Sequence, residues 1–291
     1  MGSVYLSNLP ALSARWLTLL FWLSVAPGFA GEPIIIGALS APPQLDGDFK
    51  DWNGVPAYRI PLSRLIPDSA IEATEVELRA GHVGGKIFFL ARWRDSEADQ
   101  IHKPYVWDEA SARYRPGTQR EDRFALQFEI SGDYSADWLS GNSFTADMWH
   151  WKAYRTNSIG LAHDKSTEVS TNKLMRSAKL DRAEGGPVYV RRPSDSGGEI
   201  YTTRRYSSKA DSVMPKYISN PDVTGSVADV AARGVWADGW WTLEMGRDME
   251  TGNADDVGFR IGESRRGAIA VFDASENNDH AISETLEFRV Q

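Results

Sequence analysis

Cysteine is absent from all 291 residues. Disulfides, thiolate zinc sites, iron–sulfur clusters and thioether-attached haem are therefore excluded, because each needs sulfur from cysteine. A chain without thiols is also indifferent to an oxidising compartment. Positive charge is scarce: 32 Lys and Arg stand against 40 Asp and Glu, for a net charge of −8. A nucleic-acid surface needs clustered cations to neutralise phosphates, so that class of partner is set aside. The five histidines show no i, i+2 or i, i+4 spacing, and no zinc site is expected. Enzyme signatures are missing as well: there is no G-x-S-x-G elbow, no H-E-x-x-H pair and no phosphate-binding glycine loop. Asp46, Asp48 and Asp51 surround Gly47 but lack the terminal bidentate Glu of an EF-hand, and Asp-Gly turns account for them. The chain is not expected to be an enzyme on its own.

What is present describes a folded protein: 42% hydrophobic and 25% charged residues, with 11 Trp. At the N-terminus, Arg15 precedes an apolar stretch from Trp16 to Pro27, too short to span a bilayer comfortably. Gly28-Phe29-Ala30 places small residues where a signal peptidase inspects the chain. Residues 1–30 are therefore expected to be a signal peptide and 31–291 an exported, periplasmic domain with no membrane span after processing; an uncleaved apolar anchor is the competing reading. No Arg-Arg pair precedes the run, so the signal is not of the twin-arginine kind.

The remainder reads as β-structure. Val76 to His82 and Lys86 to Trp93 flank Gly84-Gly85 as two strands around a glycine turn. Arg123 to Ile130 alternates polar and apolar side chains, as a half-buried strand does. Asp147 to Tyr154, Gly239 to Met245, Val257 to Ile261, Gly267 to Asp273 and Leu286 to Val290 complete the set. Helical periodicity is hard to find, and short strands punctuated by Gly, Pro and Asp predict an all-β sandwich. The stretch 162–233 is polar and glycine-broken, and reads as a loop-rich excursion over one end of the sandwich.

Asp147-Met148-Trp149-His150-Trp151-Lys152 is the most informative segment. On a strand, alternate residues share a face, so Met148, His150 and Lys152 point one way and the two Trp the other. One face then offers a thioether, an imidazole and an amine within about 14 Å. All three can ligate iron. The same spacing equally describes a Trp-rich core strand with a polar outer face, and composition does not separate the two.

DMWHWKAYRT, followed by IGLAHD, resembles the signature segment of the ethylbenzene dehydrogenase family of haem-binding subunits. LDGDFKDW, FFLARWRD, EDRFALQF, WADGWWTLEMGRDMET and AIAVFD resemble further family segments in the same order, from about Pro42 to the C-terminus. The resemblance implies a sandwich similar to family-nine carbohydrate-binding modules, with haem against one end. It implies the role of a gamma subunit, as in the ethylbenzene and dimethyl sulfide dehydrogenase and the chlorate and selenate reductase complexes. Such a subunit holds haem b. It relays electrons between an iron–sulfur subunit, which serves a molybdopterin-containing catalytic subunit, and a soluble carrier such as a cytochrome c. Some relatives carry C-x-x-C-H; this chain cannot, so its haem would be non-covalent.

Axial Met and Lys ligands are implied by the same resemblance. Met148 lies in the signature; Met214 lies in Val213-Met214-Pro215-Lys216-Tyr217. Met245 sits on a Trp-rich strand and reads as core, while Met175 and Met249 have no distinctive context. The expected pair is Met148 with Lys216, with His150 and Met214 as substitutes, because ligands from one strand face cannot reach opposite sides of a flat haem. Two alternatives remain: a carbohydrate-binding module with a platform of Trp107, Trp138, Trp236, Trp240 and Trp241, and a stand-alone haem sensor.

Overall fold

Strand alternation decides the architecture. In the computed structural model, which describes residues 31–291, two sheets face each other across an aromatic core. The expected signal peptide lies outside the described residues. The first sheet runs in the order Ala178–Leu180, Val188–Arg191, His163–Ser170, Phe144–Lys152, Arg123–Gly132, Ser264–Phe272, Leu286–Val290. The second runs Glu75–Val83, Lys86–Arg94, Trp240–Asp248, Ala231–Ala237. Strand Ile34–Ala38 joins them: Ile34–Ile36 pair in parallel with Phe288–Val290, then Gly37 and Ala38 pair in parallel with Gly81 and His82. The other ladders of the two sheets are antiparallel, as expected of sandwich strands linked by hairpins. Among the described residues no helix is long and apolar enough to cross a membrane.

Inward positions form the core. Phe124, Leu126 and Phe128 from one strand, and Trp149 and Trp151 from its neighbour, meet Phe89, Trp93, Trp241 and Leu243 of the opposite sheet. Phe128 packs edge-on against Trp149, Phe259 and Phe288 at 5.0–5.6 Å. Such pairs add about 0.5–1.5 kcal/mol each beyond the area they bury. Met245 and Met249 belong to this core. Gly234 is required by Trp151, whose ring would lie 2.3 Å from any Cβ there. Asn157 fixes that contact, accepting from Trp151 Nε1 at 3.0 Å and from Gly234 N at 2.8 Å. On the other face of the same sheet Glu244, fully buried, accepts from Trp52 Nε1 and from the backbone of Asp46 and Gly47. Gly47, at φ +83°, turns the chain there. Asp46 and Asp48 accept from backbone N–H groups two residues on, as turn residues do.

Two expectations need correction. Val257 to Ile261 is not a strand. Its backbone is satisfied by side chains: Val257 N–H donates to Asp147, and the Val257 and Gly258 carbonyls accept from Arg247 and Arg265. Val257 and Phe259 still bury in the core, which explains the strand-like composition. The stretch 162–233 is less irregular than its polarity suggests. His163–Ser170, Val188–Arg191 and Ala178–Leu180 extend the first sheet, and the short strands Tyr201–Thr203, Val213–Met214 and Tyr217–Ser219 lie off it. Ladder hydrogen bonds form whatever the side-chain polarity, and this edge has a partly wet outer face.

Arg247 holds the end of the sandwich. Its guanidinium is fully buried over the ring of Trp149 and reaches Asp147 at 2.7 Å, Asp164 at 3.1 Å and Asp256 at 3.3 Å. Arg247→Ala strands these carboxylates without a cation, and should cost about 3–5 kcal/mol in denaturant unfolding. Arg247→Lys should recover less than half of that loss, since an ammonium cannot reproduce the forked donor.

Candidate functional site

The strand Phe144–Lys152 places its side chains as the alternation requires. Trp149 and Trp151 enter the core, while Met148, His150 and Lys152 lie on the outer face of the first sheet. That outer face is buried too: Met148 is 5% exposed and His150 9%. Opposite them on the neighbouring strands lie Lys165 and His163 on one side and Gln127, Ala125 and Arg123 on the other. The next strand contributes Ala270 across from Ala125 and Phe272 across from Arg123. Ala125, Ala270, Met148 and Phe272 form one apolar patch, and Ile282 packs on it. Two alanines side by side leave a low, flat floor rimmed by larger groups.

A cleft of about 1200 Å³ opens beside this face and meets it at Ile282; Met148, His150, Ala125 and Ala270 are not in its lining. Its walls include Tyr134 and Trp138 from one loop, Leu180 and Arg192 from the stretch 162–233, and His280 and Ile282 beyond the last long hairpin. Ile282 both lines the cleft and packs on the Met148 patch. His280 stacks on Phe272 with ring centroids 4.7 Å apart, and Phe272 lies 5.8 Å from His150. Beside the patch, Tyr134 O–H donates to Gln127, Gln127 Nε2 donates to Thr167, and the Thr167 hydroxyl lies 3.9 Å from Met148 Sδ.

Burial lowers the proton affinity of the basic groups of this face. Desolvation, reinforced by Lys152 and Arg123, holds the His150 imidazole well below its ordinary range, and its buried Nε2 has no partner. Lys152 is pushed down by burial and by Arg155 and Lys165, and its amine donates to the His150 carbonyl and meets His163 Nδ1 at 3.1 Å. Burial and Arg192 lower Lys165 to about 8. Burial, with Arg192 and Arg123, lowers His280 to about 4. Neutral imidazole, amine and thioether are the forms that bind a metal.

The expected ligand residues are not all brought together. Met148 and His150 share the outer face. Lys216 lies over the rings of Tyr105 and Tyr217, at 5.7 and 5.3 Å, and Tyr217 contacts the Tyr201 ring that covers Lys152. It thus stands at the Lys152 end of the face, with a different set of neighbours from Met148. Met214 is half-buried and pairs with Tyr105. His163, Lys165, Arg192, Ala125 and Ala270 were missed by sequence reasoning. Only pairing across strands reveals them, although His163 lies inside IGLAHD. The five Trp of the sugar-platform alternative do not assemble: Trp241 is buried in the core, Trp138 meets Arg192 in the cleft, and Trp236 donates to the Asp95 carbonyl.

The model of the ethylbenzene dehydrogenase family matches residues 50–283. The chain belongs to that family. No curated protein is similar enough in sequence to be matched to it. Among solved structures, a family-nine carbohydrate-binding module from Caldicellulosiruptor kristjanssonii in complex with glucose is 9% identical, with a TM-score of 0.40 over 88% of this chain and 95% of that one. A family-nine module from the same organism with cellotriose is likewise 9% identical, at a TM-score of 0.39 over 89% and 94%.

A buried neutral His150 has a pH signature. Acid protonates His150 in the unfolded chain below about pH 6.5 but not in the fold, so acidification destabilises the wild type through this residue. Between pH 6 and pH 5 the stability of wild type relative to His150→Gln should fall by about 1.4 kcal/mol per pH unit. Parallel pH profiles from urea titrations of the two proteins would mean that His150 protonates freely in the folded state.

Proposed function

We propose that this chain is a haem b electron-transfer subunit of an exported molybdenum oxidoreductase complex, without an active site of its own. What supports this reading within its family is the cleft beside the buried patch that carries Met148, joined to it by Ile282. The residues present fit a flat, largely apolar group with anionic edges. Trp138, Leu180 and Ile282 supply apolar walls and Arg192 puts a cation on the lining, while Arg266, which also lines it, is paired with Glu129 and Asp133. Haem b bound there would supply a one-electron Fe(II)/Fe(III) couple. Met148 offers the thioether that favours the ferrous form. A second ligand would come from His280, which lines the cleft, or from Lys216, which would have to leave Tyr105 and Tyr217 to reach it. Partners consistent with this role are an iron–sulfur subunit, a molybdopterin-containing catalytic subunit and a soluble carrier such as a cytochrome c.

Purified protein loaded with haem should show a sharp low-spin spectrum with a distinct α band on reduction. Met148→Ala should lower the midpoint potential by roughly 100 mV, part of the ~0.8 V over which axial ligands move haem potentials, or convert the iron to high spin. Ala270→Phe should weaken haem uptake about tenfold or more by crowding the Met148 patch and displacing Ile282 into the cleft. Low-spin character lost in Lys216→Ala but kept in His280→Ala assigns the second ligand to Lys216, and the reverse pattern assigns His280. A weak, broad free-haem spectrum together with retention on a sugar column would sink the haem reading in favour of carbohydrate binding.

A further inference from the structure

A second cluster of charge lies at one end of the sandwich, apart from the cleft. Asp95 follows the strand Lys86–Arg94 of the second sheet; Asp122 precedes Arg123–Gly132 and Asp273 follows Ser264–Phe272, both of the first. One carboxylate oxygen from each of the three lies within 4.8 Å of those of the other two. Asp99 and Glu72 stand close enough to add to the repulsion, and among the described residues no Lys or Arg forms an ion pair with Asp95, Asp122 or Asp273. In the buried quartet of Asp147, Asp164, Asp195 and Asp256, three members pair with the guanidinium of Arg247.

Hydrogen bonding does not resolve this charge. Asp122 accepts from Asp99 N, Ala274 N and Trp241 Nε1, and Asp273 from Glu72 N. Asp95 is 2% exposed; Oδ1 accepts from Glu97 N, but Oδ2 is buried with no partner at all. A buried carboxylate oxygen without a donor is costly, and like charges this close cannot all ionise without a counter-ion. Burial and the neighbouring carboxylates accordingly push Asp95 up to about 7 and Asp122 to about 8.

We propose that Asp95, Asp122 and Asp273 form a binding site for a hard divalent cation of the calcium class, which ties together strand ends from both sheets. An all-oxygen donor set selects such a cation over zinc or copper. Oxygens spread up to 4.8 Å fit around Ca²⁺, whose ligands sit at about 2.3–2.6 Å, better than around Mg²⁺, whose ligands sit at about 2.0–2.1 Å. The role is structural and independent of the haem reading.

The indoles provide a reporter, because Trp241 Nε1 donates to Asp122 at 3.1 Å and Trp236 Nε1 to the Asp95 carbonyl at 2.9 Å. Full-length protein stripped with chelator should show a saturable rise in melting temperature with Ca²⁺, roughly 5 °C or more at a hundred times the dissociation constant. Tb³⁺ should give indole-sensitised emission that Ca²⁺ displaces. Asp95→Asn should abolish both responses while melting no lower than chelated wild type; Asp273→Asn, on a half-buried side chain, serves if that variant does not fold. Asp195→Asn should keep both responses. Melting unchanged by Ca²⁺ with no saturable Tb³⁺ emission overturns the proposal, as does loss of both responses in Asp195→Asn instead of the Asp95 and Asp273 variants. Displacement of Tb³⁺ by Mg²⁺ but not Ca²⁺ overturns the calcium assignment.

Discussion

The two-residue period of one strand, Phe144–Lys152, constrains both faces of the first sheet. Trp149 and Trp151 must enter the core, where they meet Phe89, Trp93, Phe128 and Trp241. Slipping the register by one residue would bury Met148, His150 and Lys152 among those rings and expose both indoles. The core therefore fixes the outer face. Met148, His150 and Lys152 stand in line because two tryptophans have nowhere else to go.

A sheet face bearing an imidazole and two amines is ordinarily left to solvent. Here it is covered, and desolvation sets its chemistry. Burial holds His150 and Lys152 well below their ordinary ranges, with Arg155 and Arg123 adding like charge nearby. The carboxylates divide into two regimes. Asp147, Asp164 and Asp256 converge on a single buried guanidinium, whereas Asp95, Asp122 and Asp273 face each other with no ion-pair partner among the described residues. Those two solutions stand at different ends of the same sandwich, and the second is what calls for a metal ion.

The cover comes from chain that looks dispensable in sequence. Val188 and Val190, with Val169 and Phe144, make a small outer core beside Tyr134 and Trp138. Arg123, 2% exposed, ties the opposite wall down by donating to Asn277 and the Ser275 carbonyl while lying over Phe272. The cleft is what is left between Tyr134, Trp138 and Leu180 on one side and His280 and Ile282 on the other.

Much of this was legible in the sequence. Alternation located the long strands and assigned Met148, His150 and Lys152 to one face, because side-chain period is a local property of extended backbone. Gly84-Gly85 marked the hairpin, the absence of cysteine excluded covalent haem, and ordered motifs pointed to the family that residues 50–283 match. Pairing across strands was not legible, because hydrogen bonds between strands leave no trace in the spacing of either. Only the tertiary structure set His163 beside His150, Ala270 beside Ala125 and Lys216 over Tyr105 and Tyr217. Val257 misled for the same reason: its apolar side chain records burial, while its backbone partners, Asp147 and Arg247, lie about a hundred and ten residues upstream in one case and ten in the other. Local sequence determines which way a side chain points; which side chains it meets depends on chain segments far from it.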